Sequence, residues 1–117
     1  MKTTNIYFDC EFTWLNQKTT LISIWLISDC WKTFYAEFND YDTTQCGNWI
    51  KDNVIANLNL KDKGTWCNVI SSTETVMKGD SQYIKEKLTD WLEQFNYIEI
   101  WSDCLSYDWV LFNTLLS

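Results

Sequence analysis

Hydrophobic and polar residues alternate along the first part of the chain in a way that predicts three β-strands. Residues 6–12 follow the two-residue period of a strand, so side chains of different character fall on opposite faces. One face carries Ile6, Phe8 and Cys10, and the other carries Tyr7, Asp9 and Glu11. Residues 19–28 are apolar on both faces, which is typical of a central strand. Residues 33–38 alternate again after the turn "DCWK", so we expect a three-stranded antiparallel meander to open the domain.

Helical spacing replaces this alternation further along the chain. From residue 44 onward, apolar residues recur at near-helical steps at Trp49, Ile50, Val54 and Leu58. A clearer helix follows Asp80, which with Ser81 is a candidate N-cap. Its apolar stripe consists of Ile84, Leu88, Trp91, Leu92 and Phe95. Between the two helices, "KDKG" is typical of a loop and "WCNVISS" of a short strand.

The remaining segments complete an alternation of strands and helices. Residues 97–103 predict a further strand, and Ser106 is placed to cap a last helix. The order is β-β-β-α-α-β-α, with the strand in "WCNVISS" as an optional addition between the first two helices. Such an order predicts an α/β fold in which helices cover a mixed sheet.

Composition predicts one folded domain. The 117 residues suffice to close a single core, and 46% hydrophobic and 17% aromatic residues argue against disorder. We therefore expect residues 1–117 to form one domain. No apolar run approaches the roughly 18 residues of a membrane span, and "MKTTNIYFD" lacks the apolar core of a signal peptide. We expect a cytoplasmic protein without a membrane partner, and the five scattered cysteines agree with this expectation.

The types of residue in the chain limit its chemistry. Since it has no histidine and no CxxC pair, zinc sites and Ser-His or Cys-His nucleophiles are disfavoured. A net charge of -7 and the absence of arginine argue against a broad basic surface for nucleic acid. Carboxylate-bound metal ions remain compatible with a phosphodiester substrate, because the metal supplies the positive charge.

Asp9 and Glu11 are the first candidates for such a metal site. Two residues apart on one strand face, their side chains start about 7 Å from each other. Close carboxylates repel unless a cation lies between them, and Mg²⁺ prefers carboxylate oxygens. The alternative is that both simply line the solvated face of an edge strand. Of a second acidic pair, Asp103 ends the predicted strand 97–103 and Asp108 lies in the first turn of the helix that follows, where the helix dipole alone would favour a carboxylate. Asp108 would reach the same pocket if that strand lies beside residues 6–12.

Three segments together resemble the 3′–5′ exoribonuclease family of bacteria and phages, within the DEDD exonuclease superfamily. They are "IYFDCEFTWL", "TTLISIWLISDCWKTFYAEFNDYD" and "IEIWSDCLSYDWVLFNTLL". The resemblance runs from Asn5 to about Leu116 and is weakest between Leu60 and Lys78. It implies a ribonuclease H-like fold, two Mg²⁺ or Mn²⁺ ions, and hydrolysis of single-stranded RNA from its 3′ end.

The resemblance also implies roles for individual residues. Asp9 and Glu11 match the first family motif, D-x-E, and residues 103–108 match the second, N-x-x-x-(F/Y)-D, with Asp103 in place of the usual Asn. The resemblance makes Asp9, Glu11 and Asp108 the catalytic metal ligands. Asp103 and Tyr107 would support these ligands, the tyrosine mainly by packing. The substrate-binding residues would be Phe12, Thr13 and Trp14, which follow the first motif.

The last motif of the family has no match in this chain. It supplies a fourth Asp, preceded by a His or Tyr general base, and nothing from Val110 to Ser117 corresponds to it. We therefore expect a domain that is incomplete at its C-terminal end, or a site completed by a homo-oligomer or a second chain. The activity of this chain alone is in doubt. The alternative function is a non-catalytic ribonuclease H-like remnant that binds protein or single-stranded RNA.

Tryptophans at positions 14, 25 and 31 stand where the family tends to have glycine. We expect Trp31 to lie in a hairpin turn that favours positive φ, and Trp14 to lie where the backbone passes a terminal nucleotide. We expect Trp25 to lie beside a core built for a small residue, where overpacking costs about 1–3 kcal/mol. One hypothesis is that these tryptophans arose from glycine codons by single-base changes. The alternative is a core that has repacked around them.

Overall fold

One mixed β-sheet carries most of the described structure. The computed structural model describes residues 3–12, 21–41, 44, 46–55, 58, 65–69, 71–102, 112, 113, 115 and 116. The strands within these residues are β1 (Thr3–Phe12), β2 (Leu21–Ser28), β3 (Thr33–Phe38), β4 (Trp66–Val69), β5 (Glu74–Gly79) and β6 (Tyr97–Ser102). The helices of four or more consecutive described residues are α1 (Asn48–Asn53) and α2 (Ser81–Glu93).

The six described strands lie in the order β4-β5-β3-β2-β1-β6. β1 pairs antiparallel with β2, and β2 pairs antiparallel with β3. β4 pairs antiparallel with β5, whereas β6 runs parallel to β1 and β5 runs parallel to β3. The prediction of an α/β fold with a mixed sheet is therefore confirmed.

β1 separates a buried face of the sheet from an open one, as its alternation predicts. Ile6, Phe8 and Cys10 are at most 6% exposed, whereas the residues between them are exposed. The register continues this division into β2, where Trp25 pairs with Asp9 and Ser23 pairs with Glu11. Side chains of paired residues share a face, so the face of β1 that carries Asp9 and Glu11 continues onto β2.

α2 covers the buried face of the sheet. Its residues Ile84, Leu88 and Trp91 are buried in the core, as the predicted stripe requires. The helix begins where the sequence predicts, because an Asp80 carboxylate oxygen accepts a hydrogen bond of 2.8 Å from the Tyr83 backbone N–H. Such a cap is worth about 1 kcal/mol. Among the described helices, none has both the length and the apolar character that a membrane crossing requires.

Residues near the C-terminal end also pack on the buried face. Phe112 is 2% exposed and stacks on Phe8, with 4.7 Å between the ring centroids. Residues 112, 113, 115 and 116 are helical, where the sequence predicts the last helix. The rest of that predicted helix and its Ser106 cap lie outside the described residues.

Trp31 adopts the backbone conformation that the sequence predicts for its turn. Its φ is 66°, a value that L-residues rarely adopt. The Trp31 N–H donates to the Ser28 carbonyl over 3.0 Å, and the Ser28 N–H donates to the Lys32 carbonyl over 2.9 Å. These bonds close a three-residue hairpin loop whose last residue is left-handed, a position that glycine prefers.

Trp25 contradicts the expectation of an overpacked core. It is 41% exposed and pairs with Asp9 on the open face of the sheet, whereas Ile24 and Leu26 beside it are fully buried. The prediction was wrong because β2 is apolar on both faces, which makes the open face look buried in the sequence. Trp14 lies outside the described residues.

Two further elements differ from prediction. The apolar spacing from residue 44 predicts a helix through Trp49, Ile50, Val54 and Leu58. The helix is present as α1, but it has only six residues, none of them buried, and its Trp49 is 67% exposed. The short strand in "WCNVISS" is present as β4. β5 is not predicted at all. Hydrophobic patterning takes a lysine to be exposed to solvent, whereas Lys78 of β5 is buried.

The strained turn gives a stability prediction. Trp31→Gly removes the strain of a non-glycine residue in the left-handed conformation, which costs about 1–3 kcal/mol. The greater conformational entropy of glycine in the unfolded chain offsets roughly 0.4–1 kcal/mol of this gain. We expect a net gain of about 1 kcal/mol, or a rise of about 4 °C in Tm. Trp31→Ala is the matched control, because it removes the exposed ring but keeps a Cβ. Equal gains from both variants in thermal unfolding would contradict this account of the turn.

Candidate functional site

Asp9 and Glu11 line one pocket on the open face of the sheet. The pocket has a volume of about 320 Å³. Its other lining residues are Cys10, Ser23, Trp25, Tyr35, Asn53, Val54 and Leu58. Both carboxylates come from β1, so their separation of about 7 Å follows from the strand period. The structure thus brings the first two predicted metal ligands to the same opening.

Local hydrogen bonding orients the Asp9 side chain. Its Oδ1 accepts a hydrogen bond of 3.0 Å from the backbone N–H of Cys10. Because a carboxylate has two oxygens and about four lone-pair sites, this bond leaves acceptor capacity toward the pocket. Asp9 can therefore coordinate a cation while the backbone N–H of Cys10 holds its carboxylate in place.

A row of polar residues crosses the sheet beside Glu11. In register, Glu11 pairs with Ser23, Ser23 with Glu37, and Glu37 with Lys78. Ser23, Glu37 and Lys78 are all buried, with exposures of 6%, 0% and 8%. Buried ionisable residues are rare unless they are paired, and here Lys78 and Glu37 are neighbours of opposite charge type. The carboxyl-bearing face of β1 thus continues into a buried polar layer.

Tyr35 joins this polar layer to the pocket. Its hydroxyl donates a short hydrogen bond to Glu37 Oε2. Burial raises the pKa of the Tyr35 phenol well above its ordinary value of about 10, and the Glu37 hydrogen bond and the negative charges of Glu37 and Glu11 raise it further. Tyr35 therefore keeps its proton at physiological pH and lines the pocket as a neutral phenol.

Tyr41 is half-buried and packs against the hydrophobic core. Burial raises the pKa of its phenol, and the charges of Cys46 and Glu37 add to the shift. The negative charge of Glu37 thus helps to raise the pKa of both tyrosines. The pocket that Asp9 and Glu11 line is negatively charged and therefore attracts cations rather than anions.

β6 lies beside the strand that carries Asp9 and Glu11. It runs parallel to β1, and its last residue, Ser102, pairs with Phe8, the neighbour of Asp9 in the chain. This pairing satisfies the condition under which the sequence places Asp108 near Asp9 and Glu11. Asp108 itself, with Asp103 and Tyr107, lies outside the described residues.

The predicted substrate-binding residues are described only in part. Phe12 is half-buried and packs against the hydrophobic core, at a break in the β1–β2 register between Glu11 and Phe12. Thr13 and Trp14 lie outside the described residues. The roles of all three in binding substrate stay predictions.

Sequence reasoning missed Tyr35, Glu37 and Trp25 as neighbours of the carboxylates. The alternation of "TFYAEF" places Tyr35 and Glu37 on one face, so the signal was present. It became informative only with the hairpin register, which sets Trp25 between Asp9 and Tyr35.

In the part of the chain that the structure describes, no cluster of three or more His, Cys, Asp or Glu side chains is arranged to hold a metal ion. Asp9 and Glu11 are two of the three predicted ligands, and the third, Asp108, lies outside the described residues.

Tyr35 gives a prediction about pH. Because the pKa of Tyr35 is raised in the folded state, its protonated phenol contributes to the free energy of unfolding, and this contribution is complete below the unfolded pKa of about 10. Above that pH the contribution declines, because the unfolded chain releases the proton first. Tyr35→Phe should therefore flatten the fall in the free energy of unfolding between pH 10 and about pH 12. At pH 7 the same change should cost about 1–2 kcal/mol, through loss of the bond to Glu37.

Urea unfolding at several pH values measures both effects. Glu37→Gln is the matched variant, because it keeps an acceptor for Tyr35 but removes the charge. We expect it to give an intermediate slope. Wild type and Tyr35→Phe with the same slope above pH 10 would overturn the assignment.

Comparisons with known proteins add no further assignment. No model of a protein family matches the chain, and no curated protein is significantly similar to it.

Proposed function

We propose that this chain is a ribonuclease H-like nuclease domain that removes nucleotides from the 3′ end of single-stranded RNA with the help of Mg²⁺ or Mn²⁺. The observation that carries the proposal is the shared pocket of Asp9 and Glu11 on the open face of β1. A strand that buries Ile6 and Phe8 on one side and presents two acids to a pocket on the other side is well suited to hold cations.

The donors in the pocket fit this kind of ion. Asp9 and Glu11 offer carboxylate oxygens, which hard divalent cations prefer, and Asp108 is the proposed third ligand. Bound Mg²⁺ or Mn²⁺ supplies charge stabilisation to the phosphodiester oxygens and lowers the pKa of water. The acidic pocket repels a bare phosphodiester, so substrate binding there depends on these cations.

The residues around the carboxylates have supporting roles in the proposal. Tyr35 lines the same pocket, and its hydroxyl donates a hydrogen bond to Glu37. β6 pairs with β1 as far as Ser102 and Phe8, and Asp103 and Asp108 follow Ser102 in the sequence. Phe12, Thr13 and Trp14 follow the carboxylates on the chain and are proposed to contact the terminal nucleotide.

The second candidate function is a non-catalytic domain that binds single-stranded RNA. The exposed aromatic residues on the open face favour it, namely Tyr7, Trp25 and Trp101, which are 46%, 41% and 50% exposed. Aromatic rings bind unpaired bases without metal ions. The two functions differ in one requirement, since only the nuclease needs divalent cations at Asp9.

Hydrolysis of end-labelled RNA tests the nuclease proposal. With Mn²⁺, we expect single-stranded RNA to shorten from its 3′ end, and Asp9→Asn to slow this shortening by more than about 100-fold, since losing even an outer-shell partner of a metal costs about 10–100-fold. Asp90→Asn on the exposed side of α2 is the matched control and should keep full activity. Binding of the RNA without cleavage, by the chain at any concentration, would favour the second function instead.

A further inference from the structure

Three longer polar side chains surround the short side chain of Ser23 on the sheet face that carries Glu11. Glu11 and Glu37 are the partners of Ser23 on its two sides, in β1 and β3. Tyr35 precedes Glu37 by two residues on β3 and therefore lies on the same face. Since neighbouring strands lie about 4.8 Å apart, β1 and β3 are separated by about 9.6 Å. Side chains as long as glutamate and tyrosine can meet across this distance above a serine.

The Tyr35 hydroxyl has two candidate acceptors in this arrangement. Glu11, Ser23 and Tyr35 line the same pocket, and Glu37 follows Tyr35 on the same strand face. Besides burial and the contact with Glu37, the negative charge of Glu11 raises the pKa of the Tyr35 phenol, so Glu11 and Tyr35 interact. Because a phenol carries a single proton, it donates to only one of the two carboxylates at a time.

In the structure this proton goes to Glu37. The Tyr35 hydroxyl donates a hydrogen bond to Glu37 Oε2. Glu37 is fully buried, and Lys78, its neighbour in register on β5, is 8% exposed. A nearby positive charge and a hydrogen-bond donor both favour the ionised form of a buried carboxylate. Since a buried pair of opposite charges adds little stability compared with apolar residues, the pair of Glu37 and Lys78 points to a role other than stability.

We propose that Glu37 is a positioning residue that holds the proton of Tyr35 away from Glu11. The inference rests on the proposed function, in which the Glu11 carboxylate binds a divalent cation. A hydroxyl that donated to Glu11 would take up one of its oxygens and compete with the cation for it. Lys78 supports this role by favouring the ionised form of Glu37, which is the stronger acceptor. With its proton on Glu37, Tyr35 lines the pocket without competing for Glu11.

The affinity for Mn²⁺ of variants that lack the Glu37 acceptor tests the inference. Glu37→Leu/Lys78→Met removes one acidic and one basic residue together, so it leaves neither of them buried alone and keeps the net charge of the chain. We expect the Kd for Mn²⁺, measured by isothermal titration calorimetry, to rise about tenfold, because the released Tyr35 hydroxyl turns to Glu11. Adding Tyr35→Phe to this double variant removes the competing proton. The triple variant should therefore bind Mn²⁺ within about twofold of wild type.

Tyr35→Phe alone is the matched control. It keeps both Glu37 and Lys78 and has no hydroxyl proton, so its Kd for Mn²⁺ should also stay within about twofold of wild type. If Glu37 only stabilised the fold, the triple variant would bind Mn²⁺ no better than the double variant. That result would overturn the inference, and so would equal affinities of wild type and the double variant.

Crystal structures of metal-free wild type and of the double variant give a second readout that needs no cation. We expect the Tyr35 hydroxyl on Glu37 in wild type, and within hydrogen-bond distance of a Glu11 carboxylate oxygen in Glu37→Leu/Lys78→Met. A wild-type hydroxyl on Glu11, or a hydroxyl that stays away from Glu11 in the double variant, would contradict the inference. Wild type that binds no Mn²⁺, together with a hydroxyl that turns to Glu11 in the double variant, would remove the proposed function and keep the positioning of Tyr35 by Glu37.

Discussion

The alternation of side chains along β1 is the constraint on which the rest of the structure depends. Ile6 and Phe8 close the core against α2 and Phe112, so the residues between them must face the other way. A shift of one residue in register would bury Asp9 and Glu11 in an apolar core, at a cost far larger than the stability of a small domain. The same hydrophobic burial that folds the chain therefore holds both carboxylates on the open face.

That open face combines two kinds of surface. Toward β3 and β5 it becomes a buried polar layer, in which Tyr35 donates to Glu37 and Glu37 lies beside Lys78. Toward β6 it becomes aromatic, with Trp101 beside Tyr7. The carboxylates of Asp9 and Glu11 lie at the boundary between these two surfaces.

The sequence predicts features that depend on neighbouring residues. The faces of β1, the Asp80 cap and the positive φ of Trp31 all follow from local patterns of a few residues. Prediction from the sequence fails where the pairing of distant strands decides which face a side chain occupies or whether it is buried. Trp25 faces the open side because of its pairing with Asp9, and Lys78 is buried because β5 lies beside Glu37. For the candidate site, the sequence identifies Asp9 and Glu11 but not the residues that the hairpin register brings beside them.

Metal binding at the β1 carboxylates tests the central claim most directly, by thermal unfolding of wild type and Asp9→Asn across a titration with Mn²⁺. An ion at about ten times its Kd adds about 1.4 kcal/mol to the stability of the folded state, or about 5 °C in Tm. The account predicts this rise for wild type and its absence in Asp9→Asn, while Asp90→Asn behaves as wild type. A Tm that Mn²⁺ leaves unchanged in wild type, or raises equally in Asp9→Asn, would contradict the claim that this strand face holds divalent cations.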